Sequence, residues 1–219
     1  FKDLIMDLRL PKNLSSSYVS QFFAIILSLL EITVINQLFG LYIYGQYIVI
    51  VSAISLTSRF TSVRNSDSVG IFYKSEKFKG INGNVGIIIL TGLLTDLILA
   101  LLLVLIIFLL SGKISTLFLK EENLSYLLNR YALIPALFFS TESLNGYLLA
   151  NNHINSLNLQ KVSKGLFNII CLLLIAFYAP DKDLEWLVYA FLISSIIQFL
   201  FKIYLFLNKF YKDDFKYKF

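Results

Sequence analysis

The sequence predicts an all-α, polytopic membrane protein, a bundle of six transmembrane helices. Hydrophobic residues make up 57% of the 219 residues, and the mean hydropathy is +0.73. Residues 85–110 form one apolar run whose single charge is Asp96. As a helix this run is about 39 Å long, enough to cross a hydrocarbon core about 30 Å thick. The apolar runs are continuous, whereas a membrane β-barrel requires short alternating strands.

Six stretches are predicted to cross the membrane, and together they form one domain, residues 1–219. Their approximate bounds are 17–39, 43–63, 85–110, 127–150, 162–178 and 186–207. Before the first span, Pro11 is expected to end any helix and to leave a short interfacial lead-in. Gly40 and Gly45 are expected to bracket a tight turn, and residues 64–84 and 151–160 are expected to be polar loops.

Polar stripes on three spans predict faces that are turned toward protein or water rather than lipid. At helical spacing they comprise Ser17, Gln21, Ala24, Ser28 and Glu31 on the first span, Ser52, Ser55, Arg59 and Ser62 on the second, and Ser195, Gln198 and Lys202 on the sixth. The fourth span is weakly apolar and holds Pro135, which predicts a kinked helix inside the bundle.

The distribution of lysine and arginine predicts the orientation. With six spans, 15 of the 19 basic residues fall on one side of the membrane. Basic loops stay in the cytoplasm, so both termini of this segment are expected there. The net charge of +5 is therefore attributed to cytoplasmic loops and anionic lipid, and no nucleic-acid partner is expected.

Three carboxylates inside predicted spans are candidates for ion coupling: Glu31, Asp96 and Glu142. A carboxylate in the hydrocarbon region needs a partner, water or a proton. Each is therefore either a proton or sodium site or a hydrogen-bonded group that holds helices together, and Glu142 has the further alternative of pairing with Arg59.

Cations at the cytoplasmic ends of the second and sixth spans predict contact with an anionic headgroup. Arg59 and Lys202 lie at similar depth on polar faces, although Arg59 could equally extend to the lipid surface.

The sequence offers few residues for enzyme chemistry, because His153 is the only histidine and Cys171 the only cysteine, and no phosphate-binding glycine motif occurs. We expect no catalytic site, metal site or cofactor.

Several motifs carry a family resemblance. INQLFGLYIYGQY (35–47) resembles the loop between the first two helices of bacterial polysaccharide and O-antigen flippases, which belong to the multidrug/oligosaccharidyl-lipid/polysaccharide exporter superfamily. SRFTSVRNSDSVGIFYKSEK (58–77) resembles the end of their second helix, with Arg64 at the position of a common arginine. LNGYLLANNHINSLNLQKV (144–162) resembles the connection between their fourth and fifth helices.

The resemblance implies the N-terminal lobe of a two-lobe transporter in the bacterial inner membrane. It implies alternating access, a substrate in which an oligosaccharide is joined through diphosphate to a polyprenyl lipid, and Arg64 as a further substrate contact. The sequence starts at Phe1 rather than Met, so we expect a segment of a longer chain with a second six-helix bundle downstream. The alternatives are a drug or ion antiporter of the same superfamily and a six-helix membrane scaffold.

Overall fold

The computed structural model describes residues 2–61, 65–78, 85–119, 124–179 and 182–212, and nearly all of them are helical. The helices in these ranges are α1 (Lys2–Phe39), α2 (Leu41–Thr61), α3 (Asn65–Phe78), α4 (Val85–Ile114), α5 (Ser125–Phe139), α6 (Glu142–Ala150), α7 (Ile154–Tyr178) and α8 (Leu184–Phe210). A π-helical turn, Ser115–Leu119, continues α4. No strand occurs in the described ranges, and the all-α prediction is confirmed.

Five stretches of helix are long and apolar enough to cross a membrane: Ser15–Phe39, Leu41–Arg59, Gly86–Leu117, Ile154–Tyr178 and Leu184–Phe210. Their outward surfaces carry leucine, isoleucine and phenylalanine in quantity, as Leu101 and Phe108 illustrate with exposed fractions of 61% and 63%. An apolar surface of this extent suits lipid. The predicted fourth span is different, because it is divided into α5 and α6 at Ser140 and Thr141.

Two segments predicted as loops are helical. Residues 65–78 form α3, which buries Val69 and Tyr73 against its neighbours. The segment expected as a loop over 151–160 begins instead with a short turn, and α7 starts at Ile154 rather than at 162. Ser156 and Asn158 are buried there, so these polar side chains face protein. The polarity at the start of α7 thus marks contact between helices, whereas most polar residues of α3 are exposed and its apolar residues make the contact.

The turns also differ from the predictions. Helix α1 runs without interruption through Pro11, although an interior proline costs a helix one hydrogen bond and crowds the preceding turn. Between α1 and α2 the turn is the single residue Gly40, whose φ of 85° favours glycine, while Gly45 lies inside α2.

The order in which residues of two helices contact each other shows whether the helices run parallel or antiparallel. Helix α1 packs most extensively on α7, and the two run parallel, since Leu27 meets Gly165 and Glu31 meets Asn168. Helix α7 then runs antiparallel to α8. A large apolar core joins α2, α4, α5 and α8, with Ile50, Leu103, Leu128 and Leu187 at its centre. A smaller core joins α3, α6 and α8 through Tyr73, Tyr147 and Phe206.

Helices α3 and α6 cross at backbone contact distance. A Cβ atom added to Gly146 would lie 2.2 Å from the Ser66 carbonyl oxygen, and one added to Gly70 would lie 3.3 Å from the Gly146 carbonyl oxygen. On α4, Gly92 admits Val69 of α3 and Ser143 of α6 in the same way. Small residues let membrane helices approach this closely, and here they bring three helices to one point.

The crossing predicts a large effect of one methyl group. Gly146→Ala should lower the free energy of unfolding by about 1–3 kcal/mol, because the Ser66 backbone cannot move aside as a flexible side chain would. Gly112→Ala is the matched control, since a Cβ there meets nothing within 4 Å and alanine is the better helix former. Thermal unfolding in detergent measures both, and equal midpoints for the two variants would contradict the close crossing.

Candidate functional site

Asp96 lies where α3, α4 and α6 meet, and it is 1% exposed. Its Oδ1 accepts a hydrogen bond of 2.8 Å from Asn65 Nδ2, and its Oδ2 accepts one of 2.6 Å from the Ser143 backbone N–H. Asn65 Nδ2 also donates to the Gly92 carbonyl oxygen at 2.9 Å. The Ser143 N–H belongs to the first turn of α6, where backbone donors lack partners within the helix. The carboxylate therefore caps α6 and ties it to α3.

Glu142 and Lys202 flank this junction. Glu142 accepts a 3.4 Å hydrogen bond from Ser66 Oγ, and Arg59 is not among its partners in the described ranges. Lys202 on α8 is 7% exposed and interacts electrostatically with both Asp96 and Glu142. The alternative of a pair between Arg59 and Glu142 is not seen.

Glu31 belongs to a second polar cluster, formed by α1, α7 and α8. Asn168 Nδ2 donates to Glu31 Oε2 at 2.9 Å, while Asn168 Oδ1 accepts from Ser194 Oγ at 2.6 Å and from Gln198 Nε2 at 3.1 Å. The close approach of Leu27 and Gly165 one turn earlier places Glu31 opposite Asn168. Only one Glu31 oxygen has a described partner, unlike the two of Asp96.

Glu31 also lines a cavity of about 520 Å³, which we name the Glu31 cavity. Its lining residues are Gln21, Ala24, Ser28, Glu31, Tyr47, Val51, Tyr131, Ile134, Phe138, Lys161, Lys164, Gly165, Asn168, Phe191 and Ser195. The Tyr47 and Tyr131 hydroxyls lie 3.3 Å apart and close one wall. A carboxylate, a carboxamide and several hydroxyls around open space suit the binding of a proton or a small cation.

A second cavity of about 400 Å³ lies beside it, between α5, α6, α7 and α8, and we name it the lysine cavity. It is lined by Ser66, Phe138, Asn145, Leu149, Leu157, Gln160, Lys161, Ser163, Lys164, Gln198, Phe201 and Lys202. Its charged lining residues within the described ranges are all lysines. Phe138, Lys161 and Lys164 line both cavities, and the Lys164 Nζ lies 4.8 Å from the centre of the Phe138 ring.

The three predicted polar stripes lie in different places in the structure. Four of the five stripe residues of α1 line the Glu31 cavity, and the three of α8 are buried and line one cavity or the other. The stripe of α2 instead lies at the surface, with Ser52, Ser55 and Arg59 exposed. Arg64 and Ser62 lie outside the described residues.

Arg59 and Lys202, the two cations expected to act together, therefore lie in different environments. Arg59 lies on the exposed side of α2, whereas Lys202 is buried in the lysine cavity. The residues that accompany Lys202 are Lys161 and Lys164, which entered the sequence analysis only among the 15 basic residues on one side of the membrane. A signal for them was present, since Lys161, Lys164 and Asn168 recur at helical spacing.

The opposite end of the bundle carries a separate polar cluster. Arg130 pairs with Glu185 Oε1 at 2.5 Å and also contacts the Tyr189 hydroxyl. Tyr126 donates to Glu185 Oε2 at 3.0 Å, so α5 and α8 are joined where they begin.

The part of the chain that the structure describes contains no group of three or more histidine, cysteine, aspartate or glutamate side chains that could hold a metal ion.

Comparison of the chain with protein-family models, with curated proteins and with solved structures finds no significant match.

The Asp96 junction predicts that a neutral isostere is not tolerated. Both Asp96 oxygens face donors, so Asp96→Asn sets an amide N–H against either Asn65 Nδ2 or the Ser143 N–H, at a cost of about 1–3 kcal/mol. Asn65→Leu should therefore cost less in the Asp96→Asn background than in the wild type, because the hydrogen bond that it removes is already impaired there. Thermal unfolding of the single and double variants measures the coupling, and strictly additive losses would contradict the junction.

Proposed function

We propose that this chain forms one lobe of a transporter that moves a lipid-linked oligosaccharide across the bacterial inner membrane by alternating access. The motifs at 35–47, 58–77 and 144–162 suggest this family, and the five membrane-length helices support a transport architecture. In the proposal α5 and α6 together make the sixth crossing. As one broken helix, residues 125–150 span about 39 Å, which suffices for the hydrocarbon core.

The broken crossing agrees with the physical demands of a membrane interior. Backbone that leaves the helical conformation at membrane depth must be buried in protein and have its donors satisfied. Residues around the break meet both conditions, since Thr141 is buried and the Ser143 N–H is bonded to Asp96. Discontinuous helices of this kind occur at the binding sites of transporters.

The observation that carries the proposal is the Glu31 cavity. A carboxylate in an apolar bundle is costly to maintain, and a cavity beside it forgoes packing energy. Neither feature is needed to hold α1 against α7, because the contact at Gly165 already does so. A titratable group facing open space inside a membrane bundle is what ion-coupled transport requires.

Among the three candidate carboxylates, Glu31 fits the coupling role best. Asp96 is fully engaged in joining helices, so its role in the proposal is structural. Glu142 interacts with Ser66 and with Lys202 beside the same junction. Arg59 and Arg64 remain the predicted contacts of the substrate diphosphate, and the exposed stripe on α2 is where a second bundle is expected to face this one.

The coupling role is tested by Glu31→Gln. The variant keeps an acceptor for Asn168 but does not titrate, so it should fold normally and lose at least about tenfold in transport driven by a pH or sodium gradient. The complete gene product in proteoliposomes, with a fluorescent polyprenyl-diphosphate oligosaccharide, provides the assay. Ser52→Ala, on the exposed side of α2, is the control for a polar change away from both cavities.

Two results would contradict the proposal in different ways. Wild-type rates for Glu31→Gln would remove the coupling role. Absence of oligosaccharide flipping by the wild type, together with gradient-driven export of cationic dyes, would favour the antiporter alternative.

The orientation is tested with single cysteines in a Cys171→Ala background. An impermeant thiol reagent added outside intact cells should label positions 113 and 182 and spare 155 and 212, all of which are exposed in the structure. The basis is the 15 basic residues on one side of the six crossings. Labelling at position 155 from outside would contradict the topology.

A further inference from the structure

The lysine cavity has the composition of a binding site for a phosphate ester. Among the residues that the structure describes, the charged ones that line it are Lys161, Lys164 and Lys202, and none of the described lining residues is a carboxylate. We propose that it holds the headgroup of an anionic, hydroxylated phospholipid such as phosphatidylglycerol. This resident lipid is distinct from the transported substrate, so the inference goes beyond the proposed function.

The first argument is electrostatic. Lys202 is 7% exposed, and burying an ammonium group without a compensating anion is costly. Asp96 and Glu142 attract it and offset part of this cost, but neither carboxylate is among the described residues that line the cavity. Three cations facing one space repel each other, and a phosphate between them removes that repulsion.

The second argument comes from carboxamides in the cavity lining. Asn145 Oδ1, Gln160 Nε2 and Gln198 Oε1 are buried and make no hydrogen bond among the described residues. Gln198 is 6% exposed overall, and its Nε2 is already used by Asn168 and Ser194. Unpartnered buried amides are rare because each forfeits a hydrogen bond. Donors and acceptors in this arrangement match the hydroxyls of a glycerol or sugar headgroup.

The third argument concerns the surroundings. Leu149, Leu157, Phe138 and Phe201 supply an apolar wall, and Leu149 is 46% exposed at the surface of the bundle. Acyl chains therefore have an apolar surface beside the polar pocket. Basic pockets between transmembrane helices are sites for anionic lipid headgroups, and about 400 Å³ lies within the range of ligand pockets.

The test measures binding to the 219-residue chain in detergent, titrated with short-chain phospholipids. Phosphatidylglycerol should raise the midpoint of thermal unfolding by about 5–10 °C at a lipid concentration about 100 times its dissociation constant, and phosphatidylcholine should not. Lys202→Met should weaken phosphatidylglycerol at least about tenfold, while Lys182→Met, at an exposed lysine remote from both cavities, should bind as the wild type does.

Lys164→Met provides an independent variant should Lys202→Met fail to fold, because Lys164 is exposed on α7. It should also weaken phosphatidylglycerol. Equal stabilisation by phosphatidylglycerol and phosphatidylcholine, or full binding by both lysine variants, would overturn the proposal.

Gln160→Met separates a binding role from a structural one. Removing a buried Nε2 donor that has no described partner should raise the unfolding midpoint without lipid, yet it should abolish the preference for phosphatidylglycerol over phosphatidic acid, which has no headgroup hydroxyls. A variant that is more stable and keeps that preference would contradict hydroxyl recognition.

A titration with a water-soluble phosphate ester tests whether the bound phosphate belongs to a lipid. Glycerol 3-phosphate carries the same phosphate and hydroxyl groups without acyl chains, and we expect it to bind at least about 100-fold more weakly than phosphatidylglycerol. Equal affinity would overturn the assignment to a lipid. Because none of these measurements involves transport, failure of the proposed function and failure of this inference are separable.

Discussion

The Asp96 carboxylate is the interaction on which the α3, α4 and α6 part of the structure depends. It satisfies a backbone donor at the start of α6, so the helical run can break after α5 without leaving that buried N–H unbonded. It also fixes Asn65 at the start of α3. Without such an acceptor, residues 125–150 would be under pressure to remain one continuous helix. The break between α5 and α6 therefore accounts for the burial of the Asp96 carboxylate, and the carboxylate in turn makes the break possible.

Small residues make this junction geometrically feasible. The carboxylate reaches both partners only because Gly92, on the same face of α4, lets α3 and α6 approach, and because Gly146 lets α6 lie against the Ser66 backbone. The same principle operates between α1 and α7, where Gly165 accommodates Leu27 and places Glu31 next to Asn168. In both places a close approach at a glycine positions a carboxylate, which is effective in a bilayer where the hydrophobic effect does not drive helices together.

The sequence predicts the membrane class and most helix bounds, because apolar runs such as 85–110 reflect the demands of lipid alone. It predicts the cavity-facing side of α1 for the same reason, since a stripe ending at Glu31 is unfavourable against hydrocarbon. The first turns of α7 were missed because Ser156 and Asn158 are buried against other helices, so local polarity there indicates tertiary contact. Helix α3 was missed because most of its polar residues are exposed and only a few apolar residues, Val69 and Tyr73 among them, hold it against its neighbours. The lysine cavity was missed because Lys202 is distant in sequence from Lys161 and Lys164, and their meeting depends on the antiparallel packing of α7 on α8.

The two cavities are electrically linked through Lys164. Its ammonium group lines both, packs on the Phe138 ring between them, and acts on the Glu31 carboxylate. A phosphate held by the lysines would offset part of the positive field that Lys164 exerts at Glu31, because the separation is small and the surroundings are poorly screening. Proton or cation affinity at Glu31 would then rise with occupancy of the lysine cavity, and by reciprocity a cation at Glu31 would favour the bound phosphate. Lipid composition would in this way influence the carboxylate without any movement of the helices.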